Sequence, residues 1–190
     1  MSIKNLIKQS LPLLILLGIA EMFTGGILSN MATMFKNTPG LIVIVPAIIG
    51  LRGNINGALG SRLGSAAHLG LIDVKKVFNK ETKENVKASV VTSVGTALLL
   101  GFLGWLTSAA LVYNTNALIL ITDALILITV TLIAGTLAGL ILAVATVGIV
   151  IVAFKRGLDP DNITGPFLAT FGDVVTVFCL LGAVILVGGV

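Results

Sequence analysis

The longest apolar stretch of the chain runs from residue 117 to residue 154 and contains one charged side chain, Asp123. A helix that crosses a bilayer needs about 20 consecutive apolar residues. The stretch is therefore too long for one ordinary span and too short for two helices joined by a turn. We expect a single long, tilted helix, bent near Gly135 and Gly139, in a chain that folds inside a lipid bilayer.

The composition indicates the same class of protein. Of 190 residues, 56% are hydrophobic and 11% are charged, whereas soluble domains carry about 25% charged residues. We expect an all-α integral membrane protein that crosses the cell membrane several times and has the lipid bilayer as its main partner. The net charge of +4 does not indicate a nucleic-acid partner, because membrane topology explains the lysine-rich loops better.

Alternating apolar and polar segments predict five transmembrane helices in a single domain over residues 1–190. Their approximate bounds are 11–35, 41–72, 88–113, 117–154 and 165–188. The polar residues before the first span are too few for a cytoplasmic regulatory domain, and we expect none.

The basic residues predict the orientation of these helices. Lys4 and Lys8 precede the first span, a lysine-rich segment follows the second, and Lys155 and Arg156 follow the fourth. The loops on the opposite side carry only Lys36. The positive-inside rule therefore places the N-terminus in the cytoplasm and the C-terminus outside.

The second span contains polar groups that lipid does not tolerate. Arg52, Arg62 and two asparagines lie inside it, and such groups persist only where they face protein, an opposite charge or a water-filled cavity. Glycines at steps of three and four residues share one helical face, which allows close backbone approach. These glycines are Gly50, Gly53, Gly57, Gly60 and Gly64. We interpret this span as the wall of an ion pathway.

Three polar residues on different spans reach a similar depth in the bilayer. With a rise of about 1.5 Å per residue, Asp173, Asn54 and Glu21 all fall near the midplane, and Asp123 lies about 9 Å from the outer face. A lone carboxylate at mid-membrane is a candidate functional group. We therefore favour Asp173 as an ion ligand over a purely structural ion pair.

Arg52 complicates a cation pathway, because a fixed positive charge would repel the ion. We expect Arg52 to turn away from the pathway and pair with Glu21, and a charge-balanced gate made of the two residues is the alternative. Arg62 can extend its charge to the interface, and we expect His68 to be interfacial. Cys179 is expected to be an inert, buried thiol.

An acidic segment precedes the fifth span. Asp159, Asp161 and Asn162 can cap that helix, in which Asn162 or Thr164 would be the N-cap, or they can form an anionic mouth that concentrates cations. Asp73 can belong to the same mouth or cap a helix end. These residues and Asp123 are candidates for an entrance or secondary ion site.

Two motifs resemble a known family. Pro46-Ala-Ile-Ile-Gly-Leu-Arg-Gly-Asn54 with Ser61-Arg62-Leu63, and Asp159-Pro-Asp-Asn162 with Pro166 and Gly172-Asp173, resemble the signatures of MgtE-like magnesium transporters. The resemblance is to the solute-carrier branch of animals and archaea rather than to bacterial MgtE. The two motifs fall in the second and fifth spans and so cover the membrane domain.

The resemblance implies a five-helix domain that forms a homodimer, with a cation pore at the dimer axis. Asp173 then corresponds to the pore aspartate that holds a hydrated Mg²⁺ ion, and Asn54, Gly53 and Gly57 correspond to the pore wall. Mg²⁺ gives up its water reluctantly and is usually held through few carboxylates, which suits such a site. Mn²⁺ and Co²⁺ are possible substitutes, and no other cofactor is expected.

Two features depart from the family pattern. Bacterial members usually have glycine where this chain has Arg52, so the charge near the pore differs. Animal relatives carry two such domains in one chain, whereas this chain has one, so two copies are needed to complete the pore.

Three classes of function remain open at this point. The first is divalent cation transport, either as channel-like uptake driven by the membrane potential or as Na⁺- or H⁺-coupled export. The second is an intramembrane aspartyl protease with Asp123 and Asp173 as its dyad, although the two residues lie at different depths. The third is a membrane scaffold without transport, which does not explain the polar residues at the midplane. We favour a transporter rather than an enzyme.

Overall fold

A computed structural model of the chain describes residues 3–72, 79–112, 116–156 and 160–188, and all regular elements in these ranges are α-helices. In chain order they are α1 (Ile3–Asn30), α2 (Ala32–Asn37), α3 (Gly40–His68), α4 (Lys80–Val112), α5 (Ala117–Lys155) and α6 (Pro160–Val187). Within the described ranges, four segments are long and apolar enough to cross a membrane, namely α3, residues 80–110 of α4, α5, and residues 164–187 of α6. The all-helical membrane fold predicted from the sequence is thus confirmed at this level.

The first helix is the exception to the five predicted spans. Within the described residues, the apolar segment found in α1 is Ile15–Asn30, which is shorter than a typical span. The helix is then interrupted by a turn at Met31, and the short helix α2 follows. Four spans are supported, and α1 as a fifth span stays a prediction.

The long apolar stretch forms one continuous helix, as predicted. α5 has 39 residues, which corresponds to about 58 Å of helix. Its N-cap is Asn116, whose side chain accepts a hydrogen bond from the Leu118 amide at 3.0 Å. The indole nitrogen of Trp105 on α4 donates to the Leu120 carbonyl at 2.9 Å, and this bond ties α4 to the start of α5.

Two helix starts differ from the prediction. α4 begins at Lys80 rather than at residue 88, so part of the lysine-rich segment continues the transmembrane helix. α6 begins at Pro160 rather than at residue 165, because the fixed φ angle of proline suits the first helical position. The expectation that Asn162 or Thr164 caps this helix is therefore wrong, since both lie inside it.

The helices pack around α5, which contacts α3, α4 and α6, whereas α1 contacts α6 and α2. Lipid offers no hydrophobic driving force between helices, so close approach at small residues stabilises the bundle. A β-carbon placed on Gly135 of α5 would lie 2.7 Å from the β-carbon of Ala97 on α4. At this point the two backbones meet with no room for another side chain.

The interior has two apolar clusters with a polar layer between them. One cluster includes Ile48, Leu127 and Leu180, and the other includes Leu59 and Val147. Between them along α3, α4 and α5 lie buried polar residues, among them Arg52, Asn56 and Ser93. Large apolar side chains on the outer faces are exposed, as expected for surfaces that contact lipid.

Candidate functional site

Asn54 lies at the midpoint of α3, and its side chain is exposed. On the same side of the helix, a β-carbon on Gly50, Gly53 or Gly57 would have no atom within 4 Å. Within the described residues, no helix of this chain covers that face. An exposed amide beside bare backbone at mid-membrane suits a surface that meets water or another protein surface rather than lipid.

The glycine face predicted from the sequence has two different halves. Gly60 and Gly64 are buried, unlike the three glycines before them. A β-carbon on Gly60 would lie 2.7 Å from Cγ2 of Thr164 on α6. The face therefore packs closely against α6 at Gly60, whereas its half from Gly50 to Gly57 stays open.

Asp173 lies near the middle of α6 and is half-buried. Its carboxyl group is within hydrogen-bonding reach of the Glu21 carboxyl group on α1, which packs against α6. The hydroxyl of Thr176, one turn further along α6, donates to the Gly172 carbonyl at 2.6 Å. The Thr176 hydroxyl therefore bonds within its own helix. The side chains that interact beside it are the carboxyl groups of Asp173 and Glu21.

Two neighbouring carboxylates repel each other, and a cation that lies beside both of them removes this repulsion. In the described part of the chain, no group of three or more His, Cys, Asp or Glu side chains is placed to hold a metal ion. A site with only two carboxylates leaves most ligand positions to water. This arrangement fits a cation such as Mg²⁺, which retains several of its water ligands in proteins.

The expected pair between Arg52 and Glu21 is wrong. Glu21 lies beside Asp173, whereas Arg52 donates through Nη2 to the main-chain carbonyl of Ser93 at 3.0 Å. Similar depth in the membrane did not suffice, because the two side chains leave their helices in different directions. The charge-balanced gate built from these two residues is overturned with the pair.

Arg52 is fully buried in the polar layer. A β-carbon on Gly139 of α5 would lie 2.7 Å from Nη1 of Arg52 and 2.7 Å from Oγ of Ser93, so the missing side chain of Gly139 makes room for the guanidinium. Nε and Nη1 have no hydrogen-bond partner among the described residues, nor does Oδ1 of Asn56. Arg52 and Asn54 are two positions apart and point to opposite sides of α3, one into the bundle and the other out of it.

The predicted entrance residues are only partly described. Asp123 is half-buried near the start of α5, which is the opposite end of the bundle from the start of α6. Asp73 and Asp159 lie outside the described residues, and Asp161 and Asn162 stand in the first turn of α6 without described side chains. The anionic mouth stays a prediction.

Two other predicted residues have clear places. His68 is exposed at the end of α3, and its ring contacts the Phe154 ring edge-on at 5.8 Å between centroids. Cys179 is free and half-buried on α6. Neither residue belongs to the carboxyl pair.

Sequence reasoning missed the contact between Glu21 and Asp173. A signal was available, since both are lone carboxyl groups near the midplane, but opposite charge suggested the wrong partner for Glu21. It also missed Ser89 and Ser93, whose buried hydroxyls have no hydrogen-bond partner in the described part of the chain. Their spacing of four along α4 places both on one helical face.

The geometry can be compared with known proteins. Residues 45–183 match the family model of the MgtE divalent cation transporters. The chain is 31% identical over 169 residues to solute carrier family 41 member 3 of Rattus norvegicus, a match that covers 87% of this chain and 36% of the relative. It is 29% identical over 152 residues to solute carrier family 41 member 2 of Gallus gallus, which covers 77% of this chain and 25% of the relative.

The chain thus spans only about a quarter to a third of the curated relatives it matches. The family match nevertheless includes both sequence motifs, since it begins before Arg52 and ends after Asp173. It covers α4 and α5 completely and most of α3 and α6, so it describes the bundle as well as the motifs. The chain belongs to the MgtE family of divalent cation transporters.

Proposed function

We propose that this protein carries Mg²⁺ across the cell membrane by channel-like uptake, through a pathway lined by α3 and α6. The observation that carries the proposal is the interaction between the carboxyl groups of Asp173, near the middle of α6, and Glu21 on α1. A doubly charged ion at mid-membrane needs negative charge and retained water, and this pair offers the charge while leaving ligand positions for water.

A homodimer would complete the pathway. The open face of α3 around Gly53, Asn54 and Gly57 has no cover within the described chain, and small residues allow a second copy to approach closely. A two-fold axis would bring two carboxyl pairs to one ion. Five spans with the N-terminus in the cytoplasm complete this arrangement.

The membrane potential favours uptake over export. It contributes about 2.3 kcal/mol per charge for each 100 mV, and a divalent ion gains twice that amount. Uptake of Mg²⁺ into the cell therefore needs no second ion. Mn²⁺ and Co²⁺ are further candidates for the same pathway.

The interaction between Glu21 and Asp173 also favours one alternative, H⁺-coupled export, because a cation and a proton compete for neighbouring carboxyl groups. Na⁺-coupled export is a weaker form of the same alternative. The family assignment excludes the protease alternative, because members of this family are transporters and not enzymes.

Ion flux in proteoliposomes tests the proposal. Purified protein is reconstituted with a magnesium-sensitive dye, and a potential is imposed with K⁺ and valinomycin. We expect Mg²⁺ entry that follows the potential and falls at least tenfold in Asp173→Asn. Glu84→Gln removes an exposed carboxylate at the start of α4 and serves as the matched control.

Each outcome of that experiment has a meaning. Flux that needs an H⁺ or Na⁺ gradient would replace the channel with a coupled exchanger. Equal flux in wild type and Asp173→Asn would show that the pathway does not use this carboxylate. Cross-linking of Gly57→Cys in a Cys179→Ala background tests the dimer separately, because the open face would meet its copy.

A further inference from the structure

A polar groove runs between α3 and α4 from the middle of the bundle to its lysine-rich end. It consists of two adjoining cavities of about 220 and 290 Å³. Asn54, Ser89 and Thr92 line the inner cavity together with Ile55 and Ala58. Ser65 and Glu81 line the outer cavity, whose wall also includes Ala66, Leu69 and Leu71. The inner cavity begins at the open face of α3, where the proposed pathway lies.

The polar side chains in the wall of the inner cavity favour contact with water over contact with lipid. Ser89 is 1% exposed, lines this cavity, and its hydroxyl has no hydrogen-bond partner among the described residues. A buried hydroxyl without a protein partner needs water. An amide and two hydroxyls together at membrane depth would be poorly solvated by acyl chains.

Arg62 lies where the two cavities meet, because it lines both of them. It is exposed, and no acidic side chain in the described ranges forms an ion pair with it. The carboxylate in the outer cavity, Glu81, accepts a hydrogen bond from the Asn85 side chain at 3.1 Å instead. Among the described residues, Arg62 therefore forms no direct ion pair at the neck of the groove, and Glu81 is the described carboxylate that shares the outer cavity with it.

We propose that the groove is the aqueous route between Asn54 and the cytoplasmic surface, and that Arg62 is an electrostatic barrier to cations at its neck. This inference rests on the proposed function, because it assumes that a cation reaches Asn54. A fixed positive charge raises the energy of a divalent ion at the neck twice as much as that of a monovalent one. Arg62 thus limits the rate of transport and does not bind the ion.

Thiol labelling tests the groove without any transport measurement. In a Cys179→Ala background, Thr92→Cys places a thiol in the inner cavity, and Ser65→Cys places one in the outer cavity. Val91→Cys is the matched control, because Val91 is 63% exposed but does not line the groove. Cationic and anionic methanethiosulfonate reagents, both membrane-impermeant, are added to the proteoliposomes.

We expect Ser65→Cys and Thr92→Cys to react at least tenfold faster than Val91→Cys. With Arg62 present, the anionic reagent should react faster than the cationic one at Thr92→Cys, relative to Ser65→Cys. Arg62→Gln should shift this ratio toward the cationic reagent by about threefold to tenfold, and Arg62→Lys should leave it close to wild type. Thr92→Cys that reacts as slowly as Val91→Cys would overturn the aqueous groove.

A ratio that Arg62→Gln does not change would overturn the barrier. In the flux assay, Arg62→Gln should raise Mg²⁺ entry by about threefold or more. Lys83→Gln, which removes an exposed charge from the start of α4 at the same end of the bundle, should not. Reactive thiols in a protein without flux would mean that the groove is present and the proposed function is wrong. Flux without reactive thiols would mean that the proposed function stands and that the aqueous groove is wrong.

Discussion

The guanidinium of Arg52 donates a hydrogen bond through Nη2 to the main-chain carbonyl of Ser93, at 3.0 Å. This bond joins α3 to α4 inside the membrane, and the group lies against Gly135 and Gly139 of α5. Arg52 of α3 therefore contacts two other helices, α4 and α5, at the layer that separates the two apolar clusters. Its place in the bundle is structural, and the carboxyl pair lies on other helices.

The space over Gly139 gives a first prediction. A β-carbon there would lie 2.7 Å from Nη1 of Arg52 and from Oγ of Ser93, and 2.8 Å from Cβ of Ser93. Gly139→Ala should therefore lower the free energy of unfolding by about 1–3 kcal/mol, the usual cost of overpacking. Thermal unfolding in detergent measures the change.

Gly148→Ala on the same helix is the control for that experiment, because its β-carbon would meet no atom within 4 Å. Alanine is favoured over glycine in a helix by up to about 1 kcal/mol, so Gly148→Ala should be neutral or stabilising. Equal unfolding temperatures for the two variants would contradict close packing of Arg52 over Gly139.

The buried charge gives a second prediction. A buried ionic group contributes little net stability, and an apolar side chain of similar volume often replaces it at no cost. Arg52→Met should unfold within a few degrees of wild type or above it, whereas Arg52→Ala leaves a cavity and should lose about 2–5 kcal/mol. A loss with Met as large as that with Ala would show that the guanidinium makes a net stabilising interaction.

The carboxyl pair gives a third prediction. Glu21→Gln keeps a hydrogen-bond partner for Asp173 but removes one ionisable group, so the cation loses one of its two counter-charges. We expect the apparent KM for Mg²⁺ to rise about tenfold, which corresponds to about 1.4 kcal/mol. Initial rates of dye-reported uptake over a range of Mg²⁺ concentrations measure this.

A pH series gives that experiment an internal check. In wild type, a lower pH should raise the apparent KM, because protons compete with Mg²⁺ for the two carboxyl groups. With a single carboxylate left, this pH dependence should be weaker in Glu21→Gln. A KM that is independent of pH in both proteins would argue against a cation site between Glu21 and Asp173.

The sequence predicted four of the spans and the positions of the polar residues along their helices, but not the partners of those residues. Apolar length alone identified α5 as one helix, and the helix rise placed Asp173 and Asn54 near the midpoints of α6 and α3. The direction of a side chain around its helix axis depends on which helices pack against it. For this reason Glu21 was matched to Arg52 by charge, whereas packing of α1 on α6 brings it to Asp173.

The groove beside Arg62 could not be predicted for a related reason. Ser89 and Thr92 are unremarkable in a sequence, because such residues often bond to their own helix. Only the packing of α3 beside α4 shows that both line one cavity with Asn54. The family resemblance likewise located the motifs and carried no information on the contacts of Arg52 in this chain.

The two halves of the glycine face give the last prediction. Gly57→Val adds a side chain where a β-carbon meets no atom within 4 Å, whereas a β-carbon on Gly60 would lie 2.7 Å from Cγ2 of Thr164. Gly60→Val should therefore lower the unfolding temperature, because it disrupts the packing of α3 against α6. Gly57→Val should leave the fold of the single chain intact but reduce Mg²⁺ flux at least tenfold, because the side chain would enter the pathway or its dimer surface.

Unfolding in detergent and flux in proteoliposomes, measured on the same preparations, separate the two effects. Full flux in Gly57→Val would show that the open face of α3 does not line the route of the ion.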